Sequence, residues 1–321
     1  MVLAALAVLV GACSSGGPVA DRSLPDRSLD ARATEPRREL RVEDAAREGA
    51  DDVRPADRSP GGPLRVVTLN LHCLHDQPDL RAQGIALQLA KLDPDAVALQ
   101  EICETVGSGG SDNMGTKIAA ALKSQSGRDW QLGFAKTHVS WQTATFAGYD
   151  EGIGVLAPKG GVLSSGEQLL PQAKDFPRKV AWAKVGSPRG LFYLYSTHLT
   201  ISSDWTERVK QVQGILGVVN GHLGDDLPQI VAGDFNDIDW SGPIQTMKGG
   251  PPAFTDAWAA KNPGLPGGTF GCPSPSARID YIFVRSASLG SLDKVELLDA
   301  QPQGVCLSDH LGLFAELHGA K

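Results

Sequence analysis

The stretch Val231-Ala232-Gly233-Asp234-Phe235-Asn236-Asp237, "VAGDFND", follows "LPQI" (227–230) and turns a short apolar run into two carboxylates and an amide. Its length and its polar boundary read as a buried strand that leaves the core at its C-terminal end. A period of two along the strand sends Asp234 and Asn236 to one face and Phe235 to the other, and leaves Asp237 as a turn residue. Ligand sites in α/β sheets lie outside the carboxyl ends of strands, so the other strand ends come next.

Working outward, "LRVVTLNL" (64–71) and "PDAVALQEI" (94–102) read as strands on either side of a helix, "DLRAQGIALQLAKL" (79–92), whose apolar residues recur at helical spacing. After a Gly/Ser-rich loop, "TKIAAALKSQ" is a second helix. "WQLGFAKT", "GIGVLAP", "KVAWAKV" and "GLFYLYSTHL" follow as strands. "DWTERVKQVQGILGVVNGHL" is a long helix before "QIVAGDF". A loop-rich region precedes "ARIDYIFVR", then "LDKVELLD" and the last strand, "HLGLFAEL". Strands outnumber helices and hairpins mix with helical crossovers, so a layered α/β domain fits better than a purely parallel sheet. Polar residues recur at the strand ends: Asn70, Glu101, His198, Asp234 and Asn236. Asp280 lies in "RIDYIF", and Asp309 and His310 open the last strand. Each alone has an ordinary explanation as a turn former or a hydrogen-bonded core residue; their recurrence is the signal.

The chain carries 30 Lys and Arg against 37 Asp and Glu, a net charge of -7, which offers no bulk attraction to a polyanion. No Walker or dinucleotide phosphate loop, no Gly-x-Ser-x-Gly elbow and no His-Glu-x-x-His helix is present. The opening "MVLAALAVLVGA" is too short to span a bilayer, which takes about 20 residues, and reads as a signal-peptide core although no Lys or Arg precedes it. "VGAC", ending at Cys13, resembles the lipobox of bacterial lipoproteins. The expectation is an exported, lipid-anchored envelope protein, with plain secretion as the alternative. Residues 14–63 are rich in Pro, Arg, Asp, Glu, Ala and Gly, without an aromatic ring, and read as a disordered linker. The expected organisation is therefore a leader over 1–13, a linker over 14–63 and a catalytic domain over 64–321. With Cys13 lipidated, Cys73, Cys103, Cys272 and Cys306 remain, an even number that favours disulfides in an exported chain; spacing leaves three pairings open.

The ordered set "TLNLH", "LQEI", "STHL", "VAGDFND", "RIDYIFV" and "LSDHLGLF" resembles the endonuclease/exonuclease/phosphatase superfamily over about residues 64–317. That superfamily includes the deoxyribonuclease-I-like nucleases, bacterial sphingomyelinases and inositol polyphosphate phosphatases. The resemblance implies a four-layer α/β sandwich, two mixed β-sheets packed face to face with helices outside. It also implies phosphoester hydrolysis by water with a divalent cation, Mg²⁺ first and Mn²⁺ or Ca²⁺ as alternatives. Mg²⁺ prefers oxygen ligands and keeps several waters; Glu101, with Asn70 and Asp309, is the expected ligand set. His310, oriented by Asp280, is the expected general base, with Asp234 as the alternative group to orient or deprotonate the water. His198 is expected to protonate the leaving oxygen or to stabilise the phosphate, and the Asn236 amide to donate to a phosphoryl oxygen. On this reading His310→Ala abolishes hydrolysis and leaves thermal unfolding nearly unchanged.

Secondary candidates are His72 and Tyr149 as substrate contacts, Glu151 behind the ligand set, and Arg208 as a structural residue. The implied site also pairs the cysteines: Cys73 follows Asn70 and Cys103 follows Glu101, which face one metal, while Cys272 and Cys306 precede Asp280 and Asp309. Cys73-Cys103 and Cys272-Cys306 are therefore expected, with Cα separations below ~7 Å. For substrate, a nuclease-like phosphodiesterase, active as a monomer on nucleic acid, stands first. A sphingomyelinase-like phospholipase C acting on a phospholipid headgroup is the alternative; "HVSWQTATFAGY" (138–149) is its candidate aromatic loop. "SARIDYIF" replaces the "CDR" element of the inositol phosphatases. A non-catalytic envelope binding protein would show losses at Glu101, His198, Asp234 or His310, and all four are present.

Overall fold

The computed structural model describes residues 61–320 apart from 111, 143–146, 172–175, 300, 302 and 303. The chain divides into two units, 1–53 and 54–321. The expected leader, Cys13 and the expected linker up to residue 60 lie outside the described residues. Among the described residues no helix is long and apolar enough to cross a membrane.

The elements run β1 (Leu64–Asn70), α1 (Pro78–Leu92), β2 (Ala96–Thr105), α2 (Met114–Ser126), β3 (Trp130–Gln142), β4 (Ala147–Pro158), β5 (Val162–Leu169), β6 (Lys179–Ser187), β7 (Gly190–His198), α3 (Trp205–Asn220), β8 (Gln229–Asp234), α4 (Gly242–Gly249), β9 (Phe254–Asp256), α5 (Ala257–Lys261), β10 (Asp280–Arg285), β11 (Leu289–Leu297) and β12 (Leu313–Gly319). They form two six-stranded sheets, ordered β11-β12-β1-β2-β4-β3 and β5-β6-β7-β8-β10-β9. Each sheet holds one parallel pair, β1 with β2 and β7 with β8, because α1 and α3 supply the crossover that parallel neighbours need. The remaining pairs are antiparallel.

Alternation along the strands divides the apolar residues between three interiors. Val66, Ala96, Ala98 and Val155 of one sheet meet Ala183, Leu194, Ala232 and Ile282 of the other in the inter-sheet core. Val67, Leu69, Val97 and Leu99 face outward onto Ile85, Leu89, Ile118 and Leu122 of α1 and α2. Tyr195, Val231 and Phe235 face Val212, Ile215 and Met247 of α3 and α4. These are the four layers expected from the resemblance. Burial on both faces is why the central strands read as continuous apolar runs.

Capping sets the helix starts. The Asn113 side chain accepts from the N–H groups of Gly115 and Thr116 at α2, and Asp204 accepts from Thr206 at α3. Four elements in apparent loops went unread: β5, α4, β9 and α5. β5 is an edge strand whose side chains are mostly exposed, so no apolar alternation marks it. The 3-residue β9 and 5-residue α5 are too short to show a period.

Both expected disulfides form, with Cα separations of 4.8 Å for Cys73-Cys103 and 6.1 Å for Cys272-Cys306. They span 30 and 34 residues, for which chain entropy gives about 3.6 kcal/mol each. Reduction should lower the melting temperature by roughly 7–14 °C per bridge in a domain of this size. Calorimetry with and without a dithiol reductant measures it, and an unchanged transition would show that the bridges contribute nothing.

Candidate active site

Strand polarity brings the candidate residues together. Asn70, His198 and Asp234 are the last residues of β1, β7 and β8. Asp280 is the first residue of antiparallel β10 and lies opposite Asp234 in register. β12 runs antiparallel to β1 with Leu313 opposite Thr68, so Asp309 and His310, just before it, reach the same end. Asp309 and His310 thus precede the last strand instead of opening it, and His310 makes a bridge to Phe270. Glu101 arrives by a distortion: the β2–β4 register shifts between Leu99 and Ile102, and Glu101 has φ +47°. A bulge of this kind re-aims a side chain next to a site.

The polar contacts are mutual. His310 Nδ1 is 2.8 Å from Asp280 Oδ2, and its Nε2 is 3.8 Å from Asp234 Oδ2. His198 Nε2 is 3.5 Å from the same Asp234 oxygen. Ligand atoms of Asp234, Asp280 and His310 all lie within 4.8 Å of one another. The Phe270 ring meets His310 edge-on at 4.9 Å, and Thr269 Oγ1 accepts from the Asp280 backbone N–H at 3.1 Å. Between the sheets, Gln100 Nε2 donates to Ser196 Oγ at 3.1 Å, joining β2 to β7 beneath the site.

Asn70 engages both neighbouring carboxylates. Its Nδ2 donates to Glu101 Oε1 at 2.9 Å and to Asp234 Oδ2 at 3.2 Å, while its Oδ1 accepts from the His72 N–H. It therefore holds two carboxylates side by side as a donor. Asn236 has a φ of +49° that ends the strand alternation, its N–H donates to Asp234 Oδ1 at 2.7 Å, and its Nδ2 donates to the Leu199 carbonyl at 2.9 Å. One amide hydrogen is thus committed to the backbone. Phe235 does turn to the opposite side, where it packs edge-on against Phe283.

Asp237 is more than a turn residue: it is buried and accepts from Arg208 Nε at 2.9 Å. Arg208 also donates to the carbonyls of Thr200 and Ser202, so it ties the β7–α3 loop to the β8–α4 loop, as a structural residue should. Removing one partner of a buried pair costs about 3–5 kcal/mol. Arg208→Ala is expected to lower stability by that amount in urea unfolding, and a loss below about 1 kcal/mol would show that the pair is dispensable.

Of the secondary candidates, His72 lies at the site, with Nδ1 3.8 Å from Asp309 Oδ1, and Tyr149 of β4 pairs with Thr105 of β2. The Glu151 carboxylate is 3.5 Å from His138 Nε2. It also lies near Cys73 and Cys103, whose thiols are spent in the disulfide and so provide no thiolate for a metal. Four neighbours escaped the sequence reading: His138, Arg178, Thr269 and Ser308. Ser308 Oγ donates to the Asn70 carbonyl at 2.7 Å. Arg178 is buried, and its charge acts on His198 and Glu151. A lone Arg before a strand carries no local signal of burial, so only the packing reveals it.

The electrostatics separate the two histidines. Burial, with the nearby charges of Arg178 and His310, holds His198 well below the usual imidazole range, so it is neutral. Burial also pulls His310 down, but Asp280, Asp234 and Asp309 outweigh it and raise its pKa to about 10. Burial and the Asp280 charge push Asp234 up to about 7. Burial and the Glu151 charge push Glu101 to about 7, with Asp309 adding to the rise. A group of oxygen donors whose negative charges crowd one another in this way fits a hard divalent cation. Glu101 and Asp309 would hold it.

Residues 67–310 match the Endonuclease/Exonuclease/phosphatase family, and the chain belongs to that family of phosphoester hydrolases. Solved structures agree in fold. An endonuclease/exonuclease/phosphatase family protein from Leptotrichia buccalis C-1013-b superposes with a TM-score of 0.65 at 17% identity, covering 79% of this chain and 99% of its own. The human Nocturnin catalytic domain with bound sulfate gives 0.62 at 19% identity, covering 81% and 94%. A mannosyl-6-phosphatase from Bacteroides thetaiotaomicron VPI-5482 gives 0.60 at 17%, covering 79% and 99%. No curated protein matches the sequence.

Proposed function

We propose that this protein is an exported phosphodiesterase that uses a divalent cation, Mg²⁺ by preference, and cleaves its substrate by attack of water. The observation that carries this reading is the convergence of Glu101, His198, Asp234, Asp280, Asp309 and His310 on one end of the two sheets. The cation, when bound, supplies charge stabilisation at a phosphoryl oxygen. Of the two candidates for the proton of the attacking water, the surroundings favour Asp234. Its pKa, about 7, suits a general base near neutral pH. His310, kept protonated by three carboxylates, serves instead as a cationic donor to the phosphoryl oxygens, with Asp280 fixing its ring. His198 lies 3.5 Å from Asp234 and is held neutral, so its ring serves to hydrogen-bond the phosphate, and the leaving oxygen takes its proton from solvent. Asn70 keeps Glu101 and Asp234 in register. Cys13 would anchor the exported chain to the membrane.

Two substrate classes, nucleic acid and phospholipid, came forward from the sequence. The described residues of the loops β5–β6, β7–α3 and β8–α4, which border the site, contain one cation, Arg178, and it is buried. Polynucleotide binding depends on basic side chains that replace counterions, so this border favours the lipid phosphodiester. A panel of plasmid DNA, RNA, phosphatidylcholine, sphingomyelin, bis-(p-nitrophenyl) phosphate and a phosphomonoester, each with Mg²⁺ and with EDTA, tests the reading. Hydrolysis of the synthetic diester that EDTA removes is expected. Activity unaffected by EDTA, or confined to the monoester, would overturn it.

A further inference from the structure

Among the described residues, the exposed aromatic rings are Phe176, Trp205 and Trp240, at 47, 45 and 65% exposure. Their placement follows from the topology. Phe176 precedes β6, whose first residues pair with the end of β7 (Val180 with Thr197). Trp205 opens α3, seven residues after His198, and Trp240 follows Asp234 by six. All three therefore stand at the end of the second sheet that carries His198, Asp234 and Asp280. Ile201, 64% exposed, lies on the same β7–α3 loop.

These side chains are held up by built contacts. Phe176 stacks on His138 with ring centroids 4.2 Å apart. Trp205 lies over Gly242, where an added Cβ would come within 3.1 Å of its ring, so the start of α4 supports the start of α3. Arg208 locks the two loops that bear Ile201 and Trp240 through Thr200, Ser202 and Asp237. Exposed apolar groups gathered on one side of a protein mark an interaction surface, and Trp is suited to a boundary that is apolar on one side and wet on the other.

We propose that Phe176, Ile201, Trp205 and Trp240 form a docking rim that seats the active-site end of the domain on a zwitterionic phospholipid surface. This rests on the phosphodiesterase reading above and names the surface on which it acts. The charge pattern selects the occupant. The described loop residues add the acids Asp204 and Asp239, and the nearby Lys248 is paired with Asp239 at 3.1 Å. Among its described residues the rim exposes none of the cations that a polynucleotide or an anionic bilayer would require. Apolar insertion into a zwitterionic interface requires none.

The test uses the full chain with Cys13→Ser, so that no attached lipid tethers it; residues 1–60 contain no Trp. Tryptophan emission is followed as vesicles of brominated phosphatidylcholine are added, with bis-(p-nitrophenyl) phosphate hydrolysis measured in parallel. Quenching is expected in the parent and is lost in Trp205→Ser/Trp240→Ser. Vesicle affinity should fall about tenfold per ring, as when roughly half of a Trp side chain leaves an apolar surface. Hydrolysis of the soluble diester stays unchanged. No quenching in the parent, or equal quenching in the double variant, overturns the proposal. So does quenching by a single-stranded oligonucleotide instead of vesicles, which would assign the rim to nucleobases. Absence of soluble-diester hydrolysis in the parent would sink the phosphodiesterase reading while leaving the vesicle result legible.

Discussion

Replacing His310 by alanine is expected to lower hydrolysis by about 10²–10⁴-fold, the range for loss of a group that acts on a proton or on developing charge. The structure revises the companion expectation of unchanged unfolding. His310 is buried and 2.8 Å from Asp280, whose other oxygen, Oδ1, is buried without a hydrogen-bond partner. Alanine strands that carboxylate, and removing one member of a buried pair costs about 3–5 kcal/mol. The variant should therefore melt earlier as well as lose activity, so kinetics belong well below its transition, with circular dichroism confirming the fold. The sign of the pH dependence follows from the raised pKa. A folded value of about 10, above the usual imidazole range, means that the pair stabilises the protein fully below that range. The contribution is then lost as pH rises through about 10. The stability gap between parent and variant should be largest in acid-to-neutral solution and shrink toward pH 10. Full activity in a folded variant would end the proposed role.

Glu101→Gln should separate function from stability in the opposite direction. Glu101 is proposed as a cation ligand, so its replacement should weaken Mg²⁺-dependent activity on the order of 10²-fold or more, since even outer-shell partners cost up to about that much. Yet burial and the neighbouring Glu151 raise its pKa to about 7. A carboxyl whose folded pKa exceeds its unfolded value stabilises the fold at low pH, and that contribution is lost as pH rises through about 7. Without cation, glutamine escapes this loss, so the variant should melt higher than the parent at pH 8 and the same or lower at pH 4. Mg²⁺ should raise the parent's melting temperature more at pH 8 than at pH 5, because protons no longer compete for the carboxylate. Scanning calorimetry in EDTA and in Mg²⁺ reads both effects. A variant that melts lower than the parent at pH 8 without cation would show that Glu101 is not held at the expense of stability.

The fold was legible where burial wrote itself into the sequence. The strands ending at Asn70, His198 and Asp234 are apolar because both of their faces pack, one on the opposite sheet and one on helices. The helix α3 shows its period because one face meets Val231 and Phe235. The disulfide partners followed once the strand ends were placed around one centre. β5 and α5 were invisible for the converse reason: an exposed edge strand and a 5-residue helix need no pattern of their own when the neighbouring elements supply their contacts.

By itself the sequence determined which residue types end which strands, and hence the family and the candidates for the site. Those depend on local order along the chain and on its alternation. Only the tertiary structure decided what each member touches. Asn70 became a donor between two acids, Asn236 was drawn to the Leu199 carbonyl, Asp237 found Arg208, and Arg178 entered the site from another loop. The two histidines, alike in sequence, differ in charge because one faces three carboxylates and the other is buried beside cations. Hydrogen-bond partners and local fields depend on distances between segments far apart in the chain, and those distances exist only after the sheets have packed.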